Sequence, residues 1–358
     1  MSLLYKPDWE QTKERYLAWW AGEAIGRCAL GVTAPRDGAE RLPPPPPAAS
    51  PEQRWTDIEY LCALNDYTHA TTFYGGEAFP TWDGGYAGQT CIASFLGCPV
   101  SLAMDTAWID PILEDDGWDA TSLRIDPENY WWKLHLAVLR RGAEEARGKS
   151  IPSVGAIGGG GDTLSALRGT QPLLLDVALD PERVLAAEQH LMEMWLDVHD
   201  TFYRILRDTA GGSTCWFNLW SPGRFYCAQN DFSYMISPAM FRQLFLPAIE
   251  RQTQYLDHVV YHVDGIEAFR HVAALVDLPR LQALQILPGA GKPSPLHYLE
   301  TLKQVQRAGK NLHITIPPEE VETALELLSA RGLFIETHCE SEAQARVLLA
   351  NAEKWSHD

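Results

Sequence analysis

One apolar run of the sequence carries two residues that could do chemistry together. His262 and Asp264 lie two positions apart at the end of the run 259–263. In a β-strand, residues two apart point to the same face, so the imidazole and the carboxyl group would converge. Such a pair can bind a metal ion or share a proton. The alternative is an ordinary histidine hydrogen-bonded to a neighbouring aspartate at a turn.

A second group of reactive side chains follows the apolar run 333–335. Glu336 and His338 would share one face of a strand, and Cys339 comes where that strand should end. Burying such polar or soft groups without partners is costly. We therefore weigh a functional site here against solvated loop residues, and take Glu336 and Asp264 as candidate acid–base groups.

Two further stretches predict the wall of a binding cleft. Residues 214–226 contain Asn218 and Trp220 before a Pro-Gly turn, and residues 80–86 contain Trp82 and Asp83. A polar residue inside an apolar strand, followed by an aromatic residue and a turn, is typical of a pocket floor beneath a loop. We predict that these four residues, with His338, contact the substrate.

The elements that must position these residues alternate along the chain. Candidate strands are 28–33, 151–157, 214–220, 258–263, 281–287, 312–316 and 333–337. Candidate helices are 9–23, 181–206, 238–257, 266–276, 295–308 and 318–330. This alternation indicates right-handed βαβ crossovers and a parallel sheet. The simplest architecture is one α/β domain over residues 1–358, a (β/α)8 TIM barrel with an N-terminal helical extension. A doubly wound open sheet is the alternative.

Composition narrows the class of partner. The chain has 358 residues and a formal charge of −18, which disfavours nucleic acid and anionic membranes because both attract proteins rich in Lys and Arg. We see neither a run of eighteen apolar residues nor a secretory signal. The seven cysteines are scattered, with no C-x-x-C pair. We expect a cytoplasmic protein with reduced thiols that acts on a small molecule.

Read together, several stretches resemble the uroporphyrinogen decarboxylase superfamily. Three stretches match: residues 167–174 with 180–182, the region from Asp231 through 236–238 to 245–247, and the His262 strand. Residues 14–15 and 22–23 near the N-terminus match weakly. This similarity covers nearly the whole chain. The superfamily fold is a (β/α)8 barrel, so the resemblance implies the same architecture.

The superfamily includes zinc methyltransferases that work with corrinoid proteins, and the chain is closest to them in layout. The resemblance places His262 and Cys339 at two zinc-ligand positions, and Asp264 stands where those enzymes have a cysteine. Carboxylate, imidazole and thiolate groups all bind zinc, and a carboxylate makes the site harder. The resemblance implies a zinc cofactor, a corrinoid protein as partner and, as an open question, a homodimer.

Four functions remain open from the sequence. The leading hypothesis is a metal-dependent methyltransferase in which His262, Asp264 and Cys339 hold a metal that activates a small thiol. A second is a decarboxylase-like lyase that uses Asp264 or Glu336 as acid or base without a metal. A third is a glycoside hydrolase that uses the same two carboxyl groups. A non-enzymatic binding protein is the fourth.

Overall fold

The computed structural model describes residues 2–85 and 91–357. Its strands are β1 Ala29–Pro35, β2 Thr72–Gly76, β3 Thr81–Trp82, β4 Val100–Leu102, β5 Ala107–Ile109, β6 Ile151–Pro152, β7 Phe225–Gln229, β8 His258–Asp264, β9 Ala283–Leu287, β10 Asn311–Thr315 and β11 Leu333–His338. The α-helices are α1 Trp9–Trp20, α2 Pro51–Thr56, α3 Ile58–Thr71, α4 Cys91–Phe95, α5 Tyr130–Glu145, α6 Gly160–Arg168, α7 Thr170–Leu179, α8 Pro181–Ala210, α9 Pro238–Met240, α10 Leu246–Tyr255, α11 Val272–Leu275, α12 Leu299–Arg307, α13 Val321–Leu327 and α14 Glu342–Trp355.

Seven strands form the central sheet, in the order β2-β1-β11-β10-β9-β8-β7. All neighbours in this sheet run parallel except β2, which pairs with β1 antiparallel. The expected α/β class with a mostly parallel sheet is therefore confirmed. Successive parallel strands from β7 to β11 are separated by helical segments, as βαβ crossovers require.

Smaller pairings lie beside this sheet. Strands β3 and β6 pair in parallel through Thr81–Ile151 and Trp82–Pro152, and a single parallel bridge joins Ser153 to Thr214. Strands β4 and β5 form a separate antiparallel pair.

Local sequence explains where the main elements begin and end. Helix α8 starts with Pro181 behind the cap Asp180, whose side chain accepts a hydrogen bond from Arg183 N. It ends at Gly211, which takes the left-handed conformation that glycine adopts without strain. All five residues of β7 are buried, as are four of five in β9 and in β10, which is the pattern of parallel strands covered on both faces.

Several predicted elements differ in extent from the structure. Of the predicted strand 151–157, only Ile151–Pro152 is a strand, and α8 continues past its predicted end at 206 to Ala210. The predicted helix 238–257 contains a π-helical segment, Phe241–Phe245, between α9 and α10.

Residues 214–220 do not form a strand, because Ser213 and Ser221 pair with each other through two backbone hydrogen bonds and the chain between them closes into a loop. The strand of this region is β7, which starts after the Pro222–Gly223 turn. Helix α1 ends at Trp20, three residues before its predicted end.

Most buried apolar side chains form one continuous core that runs from α1 to α14. A second, small cluster of Leu61, Cys62, Trp82, Val138 and Ala146 packs α3 and α5 against β3. Within residues 2–85 and 91–357, no helix is both long enough and apolar enough to cross a membrane.

Candidate functional site

A cavity of about 290 Å³, partly open to solvent, lies near the carboxyl ends of several parallel strands. Its walls come from β1, β3, β11, the residues after β6 and the loop 213–221. The lining residues are Gly31, Thr33, Thr68, Tyr74, Glu77, Ala78, Phe79, Thr81, Asp83, Ser153, Gly155, Ala156, Cys215, Trp216, Asn218, Phe334 and Glu336. Three residues predicted from the sequence, Asp83, Asn218 and Glu336, are therefore brought to one cavity.

Glu336 lies near the end of β11 on the face that lines the cavity. Its side chain is 44% exposed, and that exposure is to the cavity. Burial raises the pKa of Glu336, and a hydrogen bond with the Thr315 side chain opposes this rise. His313 lies behind it, with Nε2 3.7 Å from Glu336 Oε2. A carboxyl group with a raised pKa, open to a cavity, is suited to proton transfer.

Asp83 follows directly after β3 and is held through its backbone. The Asp83 N–H donates to Asn65 Oδ1, and Asn65 Nδ2 donates to Asp83 O, both at 2.8 Å. Burial raises the pKa of Asp83, while the hydrogen bond from Gly85 N and the charge of Arg54 lower it. Asn65 on α3 thus fixes the position of a cavity carboxyl group, and sequence reasoning did not find it.

The loop between Ser213 and Ser221 supplies the aromatic wall. Trp216 and Asn218 line the cavity, and the Trp216 ring also meets the His262 ring edge-on at 5.3 Å. Asn218, which the sequence placed in a pocket floor, therefore lines the cavity, and it is carried by a loop rather than by a strand. The backbone pairing of Ser213 with Ser221 holds this loop closed.

A row of polar side chains crosses four neighbouring strands beside the cavity. Gln229, His262, Gln285 and His313 are register partners on β7, β8, β9 and β10, and we call them the polar row. His262 Nδ1 is hydrogen-bonded to Gln285 Oε1. Three of the four side chains are buried, and burying polar groups costs free energy. The row therefore indicates a functional part of the sheet.

The two histidines of the polar row have opposite protonation preferences. Burial lowers the pKa of His262, but hydrogen bonds with Asp264 and Gln285 and the charges of Asp231 and Asp264 outweigh it, and the pKa is raised. Burial and the charge of His262 lower the pKa of His313 to about 3. His313 is therefore neutral beside Glu336.

The donors predicted for zinc are only partly brought together. His262 Nε2 lies 3.8 Å from Asp264 Oδ2, and Asp264 Oδ1 is buried without a hydrogen-bond partner among the described residues. Cys339 extends the β1–β11 ladder, since its N–H donates to Thr33 O. Phe334 and Glu336 face the cavity, so strand alternation turns Cys339 to the opposite face, where its side chain is fully buried.

This donor set does not fit a zinc ion held by all three residues. Burial raises the pKa of the Cys339 thiol, and none of the described residues supplies a neighbouring cation that would favour the thiolate. In the part of the chain that the structure describes, no group of three or more His, Cys, Asp or Glu side chains is arranged to hold a metal ion. Zinc binding stays a prediction.

The other predicted contact residues lie elsewhere. Trp82 and Trp220 are buried in the core: Trp82 packs against Gly142 of α5, and Trp220 against Trp9 and Tyr16. His338 is exposed and is absent from the described cavity lining, although its Nδ1 lies 3.0 Å from Oγ1 of the lining residue Thr33. Burial of a large indole ring is strongly favourable, which explains why Trp82 and Trp220 pack in the core instead of lining the cavity.

The stretch 80–86 ends outside the described residues, at its final Tyr86.

A second cavity, of about 480 Å³, lies beyond the end of β7 and is lined in part by Asp162, Gln229 and Asp231. Asp162 accepts hydrogen bonds from Phe232 N and Gln229 Nε2, so it holds the turn after β7 in place. Burial and the charges of Asp162 and Asp264 raise the pKa of Asp231 to about 7.

Sequence reasoning missed the polar row except for His262. A signal existed, because Gln285 and His313 interrupt apolar strands just as Asn218 interrupts its apolar stretch. Asn65 gave no such signal, since a polar residue within an amphipathic helix is ordinary. The chain matches no protein-family model and no curated protein sequence.

Proposed function

We propose that this chain is a lyase-type enzyme that moves protons with its own side chains, and that Glu336 is the acid–base residue. The proposal includes a (β/α)8-type barrel whose parallel strands are β1, β3, β6 and β7–β11, with β2 as an additional antiparallel strand beside β1. Support for the barrel comes from the cavity, because one space takes lining residues from β1 and β11 of the central sheet and also from β3 and the chain after β6.

The observation that carries the proposal is the surroundings of Glu336. Its carboxyl group lines the cavity, burial raises its pKa, and the neighbouring His313 is neutral. A carboxyl group in this setting can take a proton from a substrate carbon and return one to the carbon or to a leaving group. Thr315 is hydrogen-bonded to Glu336 through its side chain.

The same cavity favours this function over the other candidates. The methyltransferase hypothesis needs Cys339 at the metal, and Cys339 faces away from the cavity. A porphyrinogen carries many carboxylate groups, and no Lys, Arg or His of the described chain lines this cavity.

Glycoside hydrolysis is the second candidate, and one observation favours it. Asp83 and Glu336 are two carboxyl groups on the wall of one cavity, together with aromatic residues, which is the equipment of a glycosidase. Asp264 was the expected partner of Glu336, but it is absent from the described lining. Release of an alcohol from aryl glycosides would separate this candidate from the lyase.

Hydrogen exchange with solvent tests the proposal without a known substrate. We expect the protein, incubated in D2O with pools of small metabolites, to place deuterium on at least one compound, as mass spectrometry would detect. Glu336→Gln should slow this exchange by about 10²–10⁴-fold. Glu340→Gln, an equal change at an exposed residue after the same strand, should leave it unchanged.

Circular dichroism and urea unfolding would establish that both variants fold. Exchange that persists at the full rate in folded Glu336→Gln would remove Glu336 from the mechanism. A wild-type protein that exchanges no compound in the pools would overturn the proposal of a proton-transferring enzyme.

A further inference from the structure

We infer that the cavity binds a small substrate that carries a protonated amino group, and that Asp83 is its counter-ion. The inference rests on the proposed function, in which Glu336 transfers the proton. It adds the chemical class of the substrate and assigns a binding role to the second carboxyl group of the cavity.

The first step is the balance of charge on the cavity wall. Three carboxyl side chains line it, those of Glu77, Asp83 and Glu336. Glu77 is already neutralised, because Arg27 donates to both of its oxygens at 2.6 and 3.1 Å. Arg15 lies 3.8 Å from Glu77 as well. The negative charge that remains for a ligand is therefore that of Asp83 and Glu336.

No cation of the described residues faces these two carboxyl groups from inside the cavity. The charge of Arg54 acts on Asp83, but Arg54 is outside the lining, and burial has the larger effect on the pKa of Asp83. His313 beside Glu336 is neutral. Residues 86–90, which follow this stretch, are Tyr, Ala, Gly, Gln and Thr, so they bring no basic side chain. An ammonium group on the substrate would supply the missing charge.

The remaining lining suits an amine with hydroxyl groups. Phe79, Trp216 and Phe334 present aromatic surface, and a cation over an aromatic face is attracted by the ring. Thr33, Thr81 and Ser153 line the same space. Side-chain hydroxyls of this kind donate and accept hydrogen bonds with neutral polar groups.

The charge of the whole molecule acts in the same direction. A formal charge of −18 raises the local concentration of small cations and repels anions. A carboxylated substrate would meet repulsion both on approach and inside the cavity. An amine meets attraction in both places.

Three sugars of one shape test the inference. D-glucosamine is a cation, D-glucose is neutral and D-glucuronate is an anion. All three are of a size that the cavity of about 290 Å³ can hold, and all three carry several hydroxyl groups. Binding would be measured by calorimetry and by ligand-detected NMR at pH 6.5 and low salt. We expect glucosamine to bind at least tenfold more tightly than glucose, with no binding of glucuronate at the same concentrations.

Matched variants locate the charge that is responsible. Asp83→Asn should reduce the preference for glucosamine over glucose to less than twofold, because the counter-ion is lost. Asp277→Asn, the same charge change at an exposed residue outside the cavity, should retain it. Both variants should unfold in urea within error of each other, since Asp83 is held through its backbone by Asn65.

Three outcomes would overturn the inference: glucose or glucuronate binding as tightly as glucosamine, an unchanged preference in Asp83→Asn, or no binding of any sugar to the folded protein. The exchange experiment keeps this failure separate from failure of the proposed function. Deuterium exchange that depends on Glu336 in compounds without an amino group would retain the enzyme and reject the amine.

Discussion

At the scale of single residues, environment decides what each carboxyl group can do. Glu77 and Glu336 line the same cavity, yet Glu77 is bound by Arg27 and by Leu30 N, whereas Glu336 is hydrogen-bonded to the neutral side chain of Thr315. The first is therefore structural and the second is free to exchange a proton. The sequence alone does not separate them, because both follow apolar stretches.

His313 gives the sharpest residue-scale prediction. Its pKa is about 3 in the folded protein, against 6.5 for an ordinary histidine, so between these values the unfolded chain binds one more proton than the folded one. The free energy of unfolding should thus fall as pH decreases through this window, with a contribution of up to about 1.4 kcal/mol per pH unit. His313→Gln should remove that contribution and flatten the pH dependence.

Urea unfolding at pH 6.5, 5.5 and 4.5 would measure the slope. The whole curve has contributions of opposite sign, because raised pKa values at Glu336 and Asp231 favour the folded state as pH decreases. The informative quantity is therefore the difference in slope between wild type and variant, with His297→Gln at an exposed site as control. Equal slopes in wild type and His313→Gln would show that His313 is not held neutral.

At the scale of elements, a buried lysine satisfies backbone carbonyl groups at the edge of the central sheet. Lys6 Nζ donates to Tyr74 O and Gly76 O of the edge strand β2, and Thr12 Oγ1 also donates to Gly76 O. An unpaired edge strand is a site for unwanted pairing between chains. The N-terminal segment therefore protects the sheet and holds β2 against β1 below the cavity.

The contact between α5 and β3 yields an element-scale prediction. Gly142 lies against the buried Trp82 ring, and a Cβ at this position would be 2.5 Å from two ring atoms. Helix propensity alone favours Gly142→Ala by about 1 kcal/mol, but overpacking costs about 1–3 kcal/mol. We expect the free energy of unfolding to fall by about 1 kcal/mol net.

Ala137→Gly is the control for helix propensity, because Ala137 is exposed on the same helix. Its substitution should lower the free energy of unfolding by about 1 kcal/mol through propensity alone. Equilibrium unfolding in urea would measure both variants. A Gly142→Ala protein more stable than wild type would mean that Trp82 does not depend on this close approach.

At the scale of the whole molecule, repulsion between like charges lowers the free energy of unfolding, and salt should weaken this repulsion. At −18, like charges repel across the folded surface, and NaCl screens them because the Debye length shortens from roughly 30 Å at 10 mM to about 8 Å at 150 mM. We expect the urea midpoint at pH 7.5 to rise between 10 and 300 mM NaCl. Near the sequence pI of about 5, the rise should disappear.

Exposed ion pairs weaken in salt and oppose this trend, but each contributes only about 0–1 kcal/mol. A urea midpoint that falls with NaCl at pH 7.5 would show that ion pairs outweigh the general repulsion. The same experiment at pH 5 is the control, since the net charge is then near zero.

The order of elements was largely determined by local sequence. Periodic apolar residues and turn residues predicted five of the seven sheet strands to within two residues at each end, and Pro181 correctly marked the start of α8. These features depend on neighbours along the chain, so the sequence carries them directly. The pairing of His262 with Asp264 on β8 and of Glu336 with His338 on β11 was also predictable, because side chains alternate between the two faces of a strand as a matter of local geometry.

Contacts between distant segments were decided only by the tertiary structure. Pairing of Ser213 with Ser221 turned an apparent strand into a loop, and burial drew Trp82 and Trp220 into the core. Asn65 meets Asp83, and His313 meets Glu336, only because the fold brings different elements together. The pKa shifts follow from the same cause, since desolvation and neighbouring charges depend on packing in three dimensions. The sequence therefore determined which groups were available, and the fold determined which of them share a cavity.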